Sequence, residues 1–98
     1  MAHDRIIDFG LRSSVASTQY VGTQSWGGGE ATFAAYGTYG GGSVALQWSA
    51  DGNFWFYVPN ASFTASGLMT FNLGVGHVRL ETVGPLGGVK VSIHPTQR

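Results

Sequence analysis

Val44, Leu46 and Trp48 alternate with Ala45, Gln47 and Ser49, and the pair Asp51-Gly52 follows at once. A period of two is the repeat of a pleated strand, whose successive side chains point to opposite faces, so one face of residues 43–49 is built to be buried. The same rhythm returns elsewhere. Thr32, Ala34 and Tyr36 alternate with Ala31, Phe33 and Ala35; Val78, Leu80 and Thr82 with His77, Arg79 and Glu81; Val89, Val91 and Ile93 with Lys90, Ser92 and His94. Glycine clusters cut these runs at 27–29, 40–42 and 87–88, and Gly84-Pro85 marks another turn. With further strands expected at 14–21, 54–58 and 68–73, the count is about seven. Short, evenly spaced strands without a credible helix predict an all-β fold, an antiparallel β-sandwich with a closed small barrel as the alternative.

Register is best specified in the hairpin at Asp51-Gly52. Asp-Gly beside alternating apolar residues is a strong hairpin signal, and a one-residue slip would turn Val44, Leu46 and Trp48 outward together. Trp48 is the expected central ring of the core. Pro59, which has no N–H for a ladder, is expected to stop the returning strand.

Ninety-eight residues allow one domain. Five acidic and five basic residues, sixteen glycines and no cysteine leave a neutral chain that depends on packing alone. The basic residues Arg5, Arg12, Arg79, Lys90 and Arg98 are spread along the sequence, which argues against nucleic acid as the ligand. No apolar run reaches the roughly 20 residues of a membrane-spanning helix, and the start Met1-Ala2-His3-Asp4-Arg5 is unlike a secretory leader.

Little in the sequence speaks for catalysis. His3, His77 and His94 show no metal-ligand spacing with the acids, and no cysteine is present for a structural zinc site. No Gly-x-Ser-x-Gly elbow occurs, and Gly74-Val75-Gly76 lacks the third glycine and following helix of a dinucleotide loop. No catalytic, metal or cofactor residue is therefore assigned. Asn60-Ala61-Ser62 matches a glycosylation acceptor but is read as chance.

The surface points toward a partner. Between Arg12 and Asp51 the only formal charge is Glu30, among Ser, Thr, Gln, Gly, Ala and aromatic residues. A permanent interface favours such neutral faces, because an unpaired buried charge is costly. Phe54-Trp55-Phe56-Tyr57 puts large rings on both faces of one strand. One face can fill the core, while the other needs a cover. Residues 1–12 differ in kind, with four of the ten charges set around Ile6, Ile7, Phe9 and Leu11, and they read as an extended N-terminal arm ahead of a single domain at 13–98. The candidate assembly contacts are Ile6, Ile7, Phe9, Leu11, Trp26, Tyr39, Trp55 and Tyr57.

The stretch Gly42-Ser43-Val44-Ala45-Leu46-Gln47-Trp48-Ser49-Ala50-Asp51-Gly52-Asn53-Phe54-Trp55, then Met69-Thr70-Phe71-Asn72-Leu73, then Gly76-His77-Val78-Arg79-Leu80, resembles small virion proteins of tailed bacteriophages. The likeness covers the half of the chain from Gly42 onward and rests on a Ser-x-Asp-Gly turn, a Phe-x-Leu strand and a Gly-x-x-Arg strand. It implies a β-sandwich decoration or cement protein that binds the major capsid protein, often as a trimer, made in the host cytoplasm and located on the capsid surface. A neck or tail component is the alternative within that class. A carbohydrate-binding module is the rival from another class, and the resemblance leaves open a glycan contact on the outer face. The location of Trp55 and Tyr57 discriminates: a lectin needs them open to solvent in a groove, a cement protein needs them covered.

Overall fold

A computed structural model describes residues 6–15 and 17–96. Eight strands form among them: β1 (Ile7–Ser14), β2 (Gln19–Trp26), β3 (Gly29–Thr38), β4 (Ser43–Ser49), β5 (Trp55–Phe63), β6 (Gly67–Leu73), β7 (Gly76–Val83) and β8 (Leu86–Pro95). They build two four-stranded sheets, ordered β1-β8-β3-β6 and β2-β7-β4-β5, with every neighbouring pair antiparallel. Only β4 and β5 are consecutive neighbours; every other connection crosses from one sheet to the other. This is the strand order of a jelly roll, in which two Greek keys wrap a shared core.

The inner rows come from the alternation described above. Ala31, Phe33 and Ala35 of β3 and Val89, Val91 and Ile93 of β8 line one sheet; Val44 and Leu46 of β4 and Val78 and Leu80 of β7 line the other. Phe33 is fully buried and stacks on Phe63 at 5.8 Å between ring centroids. It takes the central place expected for Trp48. Trp48 is only half-buried at the rim, where its Nε1 donates to the Gly74 carbonyl at 3.0 Å.

Eight strands replace the expected seven because the chain around 14–21 divides. β1 ends at Ser14, and Gln19 opens β2 in the other sheet. The expected arm over 1–12 is corrected for residues 7–12, which belong to β1 and pair with β8; residues 1–5 lie outside the described residues. Ile7 and Phe9 are buried in the core. Their period was obscured by two register shifts, between Asp8 and Gly10 and between Arg12 and Ser13, which break the alternation that marks a strand. Across the gap between sheets, Phe9 packs against Gly22, where a Cβ would fall 2.5 Å from the Phe9 ring.

Pro59 does not end β5. The ladder passes from Gln47↔Tyr57 to Ala45↔Ser62, so the four residues 58–61 bulge opposite Leu46 alone, with Asn60 at φ 64°. β5 is an edge strand, where a missing N–H leaves no neighbour unpaired. The β4–β5 connection is also longer than a two-residue turn: residues 50–54 separate the strands. Ser49 and Asp51 organise it. The Ser49 hydroxyl accepts the N–H groups of Gly52 (2.8 Å) and Asp51 (3.2 Å) and donates to Asp51 Oδ1 (3.0 Å), while Asp51 Oδ1 accepts those of Asn53 (2.8 Å) and Phe54 (3.0 Å).

Candidate functional site

The aromatic run begins in that loop and enters the free edge of the second sheet. Trp55 and Tyr57 stand opposite Ser49 and Gln47 on β4, which stand opposite His77 and Arg79 on β7; Glu81 follows on β7, opposite Tyr20 on β2. One outer face thus gathers Tyr20, Gln47, Trp55, Tyr57, Arg79 and Glu81 from all four strands. The Arg79 guanidinium lies between two rings, 4.0 Å from the Tyr20 centroid and 4.3 Å from that of Trp55. Each such contact contributes about 0.5 to 1 kcal/mol when exposed. Arg79 Nε donates to Oε1 of the buried Gln47 at 2.7 Å, which fixes the guanidinium plane.

Beside this stack the Tyr57 hydroxyl donates to Glu81 Oε2 at 2.7 Å. The carboxylate holds the phenolic proton, and the Tyr57 pKa lies above its ordinary value for that reason first. Among the described residues the face therefore carries one cation and one anion, each with a partner of its own. Its exposed surface is mostly ring: Tyr57 is 60% exposed and Tyr20 51%.

On the other side of β5, Phe54 and Phe56 stack at 5.3 Å with ring planes 23° apart, and Phe56 leans on Trp48 at 6.5 Å. Neither fills the core: Phe54 is 69% exposed and Phe56 55%. The edge strand thus shows rings on both sides. Nearby, the loops between β2 and β3, β4 and β5, and β6 and β7 border a cleft of about 450 Å3 lined by Trp26, Ala50, Val75 and His77 among others.

The eight candidate contacts separate into two groups. Ile7, Phe9, Trp26 and Tyr39 are buried in the chain's own core, a correction to their reading as docking residues. Trp26 packs on Phe71 at 5.4 Å and donates Nε1 to the Leu73 carbonyl at 3.3 Å. Tyr39 donates its hydroxyl to the Ala35 carbonyl at 3.1 Å, and burial raises its pKa. Trp26, at the end of β2, reaches across to β6 of the opposite sheet, and Tyr39 packs back on β3. Ile6, Leu11 and Tyr57 are exposed and Trp55 is half-buried under Arg79. Only Trp55 and Tyr57 come together on one face; Leu11 lies at the far edge of the first sheet, on β1, and Ile6 just ahead of that strand.

Phe54, Phe56, Tyr20, Gln47, Arg79 and Glu81 were not singled out as contacts from the sequence. The signal for Phe54 and Phe56 was the uninterrupted ring run; for Arg79 and Glu81 it was their place on the wet side of an alternating strand.

On the outer face of the first sheet, Ser92 Oγ lies 2.9 Å from His94 Nε2. Residues two apart on a strand share a face, which accounts for the contact. Among the described residues no three His, Asp or Glu side chains gather into a metal-sized cluster. Compared with family models, with curated proteins and with solved structures, the chain matches none.

Proposed function

We propose that this chain is a non-enzymatic structural protein of a tailed-phage virion, a β-sandwich that decorates the capsid by setting its ring-clad β5 edge against the major capsid protein. One observation carries the reading: four consecutive rings, Phe54 to Tyr57, run from the β4–β5 loop into an edge strand, and three of them are more than half exposed on opposite sides of it. The sequence between Asp51 and Arg79 holds no Asp, Glu, Lys or Arg, so the edge can be covered without desolvating a charge. Each ring buries about 150 to 250 Å2 when covered fully, and half of that for three rings at about 25 cal/mol per Å2 gives roughly 7 kcal/mol before the cost of association. Repeated over many lattice sites, or within a homo-oligomer, such contacts reinforce a shell.

The test is co-sedimentation of the purified protein with virus particles from its source, wild type against a Phe54→Ser/Phe56→Ser double variant. Both residues are exposed, so the variant is expected to keep its circular dichroism and lose particle binding. Microscopy of the labelled protein on particles separates a capsid position from a neck or tail position. Wild-type protein that stays in the supernatant, or a double variant that binds undiminished, refutes the reading.

A carbohydrate-binding module is the second reading, favoured by the outer face where Tyr20, Trp55 and Tyr57 stand among Gln47, Arg79 and Glu81. Jelly rolls serve lectins as well as capsids. Glycan-array binding lost on Tyr57→Ala and kept on Phe54→Ser/Phe56→Ser selects this reading over the first.

A further inference from the structure

A sheet edge is a row of unpaired backbone donors and acceptors, and natural proteins blunt such edges with bulges, prolines and charges. Here four strands form edges: β1 and β6 in the first sheet, β2 and β5 in the second. Three of the four are interrupted. β1 carries two register shifts together with Asp8 and Arg12, β2 a shift between Val21 and Gln24, and β5 the bulge around Pro59. β6 has none of these devices. Gly67 to Leu73 pair with Ala35 to Gly29 without a shift, and Gly-Leu-Met-Thr-Phe-Asn-Leu contains neither proline nor charge.

The strand is also held at both ends. Gly37 donates its N–H to Ser66 Oγ at 3.0 Å just before β6, and Trp26 Nε1 holds the Leu73 carbonyl at its close. Among the described residues, the backbone hydrogen bonds outside the ladders are Gly42 to Tyr39 and Thr96 to Glu30, so none of them occupies the free side of β6. Leu68 is 68% exposed on the outer face, and Met69 and Leu73 are half-buried on the inner one.

We propose that β6 pairs antiparallel with β6 of a second copy across a twofold axis, joining two β1-β8-β3-β6 sheets into one continuous eight-stranded sheet. A twofold axis perpendicular to the sheet makes the two edges antiparallel, the closed geometry of an isologous dimer. The occupant follows from charge: a neutral edge set on itself meets no like charge. In a register centred on Thr70, that residue faces Thr70 of the second copy, Met69 lies beside Phe71 and Leu68 beside Asn72. The half-buried inner side chains are thereby covered, and the dimer stands in place of the trimer that the family resemblance implies. The particle contact on β5 plays no part in it, so either proposal can fail alone.

The chain has no cysteine, so one introduced thiol is unique. Thr70 is exposed on the outer face. In the full chain, Thr70→Cys is expected to form a disulfide-linked dimer on mild oxidation, whereas Ser62→Cys on the β5 edge, used as the control, stays monomeric on a denaturing gel. Wild type is expected to show the mass of two chains by light scattering. Thr70→Lys sets two ammonium groups face to face and is expected to weaken self-association by about tenfold while leaving circular dichroism unchanged. A wild-type monomer, a trimer, a dimer indifferent to Thr70→Lys, or equal cross-linking from both cysteines overturns the proposal.

Discussion

Replacing Ser49 with alanine tests whether the β4–β5 loop is held by its first residue. Ser49 is fully buried, and its hydroxyl makes three hydrogen bonds: it accepts from the Gly52 and Asp51 amides and donates to the Asp51 carboxylate. Alanine fits the space, so packing is nearly unchanged and the loss is polar. A partly buried donor left without its partner costs about 1 to 3 kcal/mol, and a satisfied hydrogen bond contributes about 1. Two amides lose their acceptor, the one at 3.2 Å counting for less, which gives about 2 to 3 kcal/mol in total against a domain stability of about 5 to 15. With a urea m-value of about 1 to 1.5 kcal/mol/M, the midpoint is expected to fall by about 2 M at constant m. Ser62→Ala is the control, since Ser62 is exposed on β5 and its removal should stay within about 0.5 kcal/mol. A Ser49→Ala shift as small as that of the control would show that water replaces the hydroxyl and that the loop is held elsewhere.

Asp51 adds a pH dependence of definite sign. Its carboxylate accepts the amides of Phe54 and Asn53 and the Ser49 hydroxyl, and these hold its pKa below the ordinary 3.8. The folded state therefore binds the proton more weakly than the unfolded one. The contribution is present above the ordinary carboxylate range and is lost as pH falls through the depressed folded value. Urea midpoints are expected to decline there in wild type and less so in Asp51→Asn. Phe33→Ala, at a fully buried ring, should cost about 3 to 5 kcal/mol, whereas Trp48→Ala, half-buried at the rim, should cost about 1 to 2, measured in the same urea titration. Equal losses would restore Trp48 to the centre. Deleting residues 1–12 should abolish the folded circular dichroism spectrum, because it removes Ile7, Phe9 and most of an edge strand; a truncated chain that folds with an unchanged melting temperature would mean that β1 is dispensable.

Most of the strands legible in the sequence have neighbours on both sides; β6, an edge strand expected at 68–73 and found at Gly67–Leu73, is the exception, and it carries no register shift. β3, β4, β7 and β8 are interior strands, each fixed by two ladders; in β8 the alternation holds from Val89 to Ile93 and breaks at Gly88, where the register to β1 shifts. A residue shift there would expose whole rows such as Ala31, Phe33 and Ala35, so the pattern is kept strict. At three of the four edges, those of β1, β2 and β5, the constraint relaxes and bulges enter. Gly10 in β1 and Gly22 in β2 both adopt positive φ, at 77° and 71°, near the register shifts of those strands. The period of two fails at those points, which is why residues 7–12 read as an arm; Pro59 reads as a stop because it has no N–H, a lack that an edge strand tolerates.

The candidate site was legible only as composition. Rings at four successive positions guarantee that one side of β5 lies outside the core, but the period cannot say whether the other side is covered. Coverage depends on how far the opposing sheet reaches, a property of the register of both sheets. Phe56 stands opposite Trp48, one step along the strand from the covered pair of Val44 and Leu46, and both rings are already at the open rim. Phe54, still in the loop, lies beyond them. For Trp26 and Tyr39 the error ran the other way: glycine neighbours suggested rings reaching outward, yet each turns back to give its polar hydrogen to a backbone carbonyl of its own fold. A buried Trp or Tyr needs one such acceptor. Both acceptors belong to β strands, the Leu73 carbonyl on β6 and that of Ala35 on β3, and a ring at the end of a strand or in the loop after it, within reach of one, is free to fold inward; Phe54 and Phe56 have no polar hydrogen to place and stay where the sheet edge leaves them.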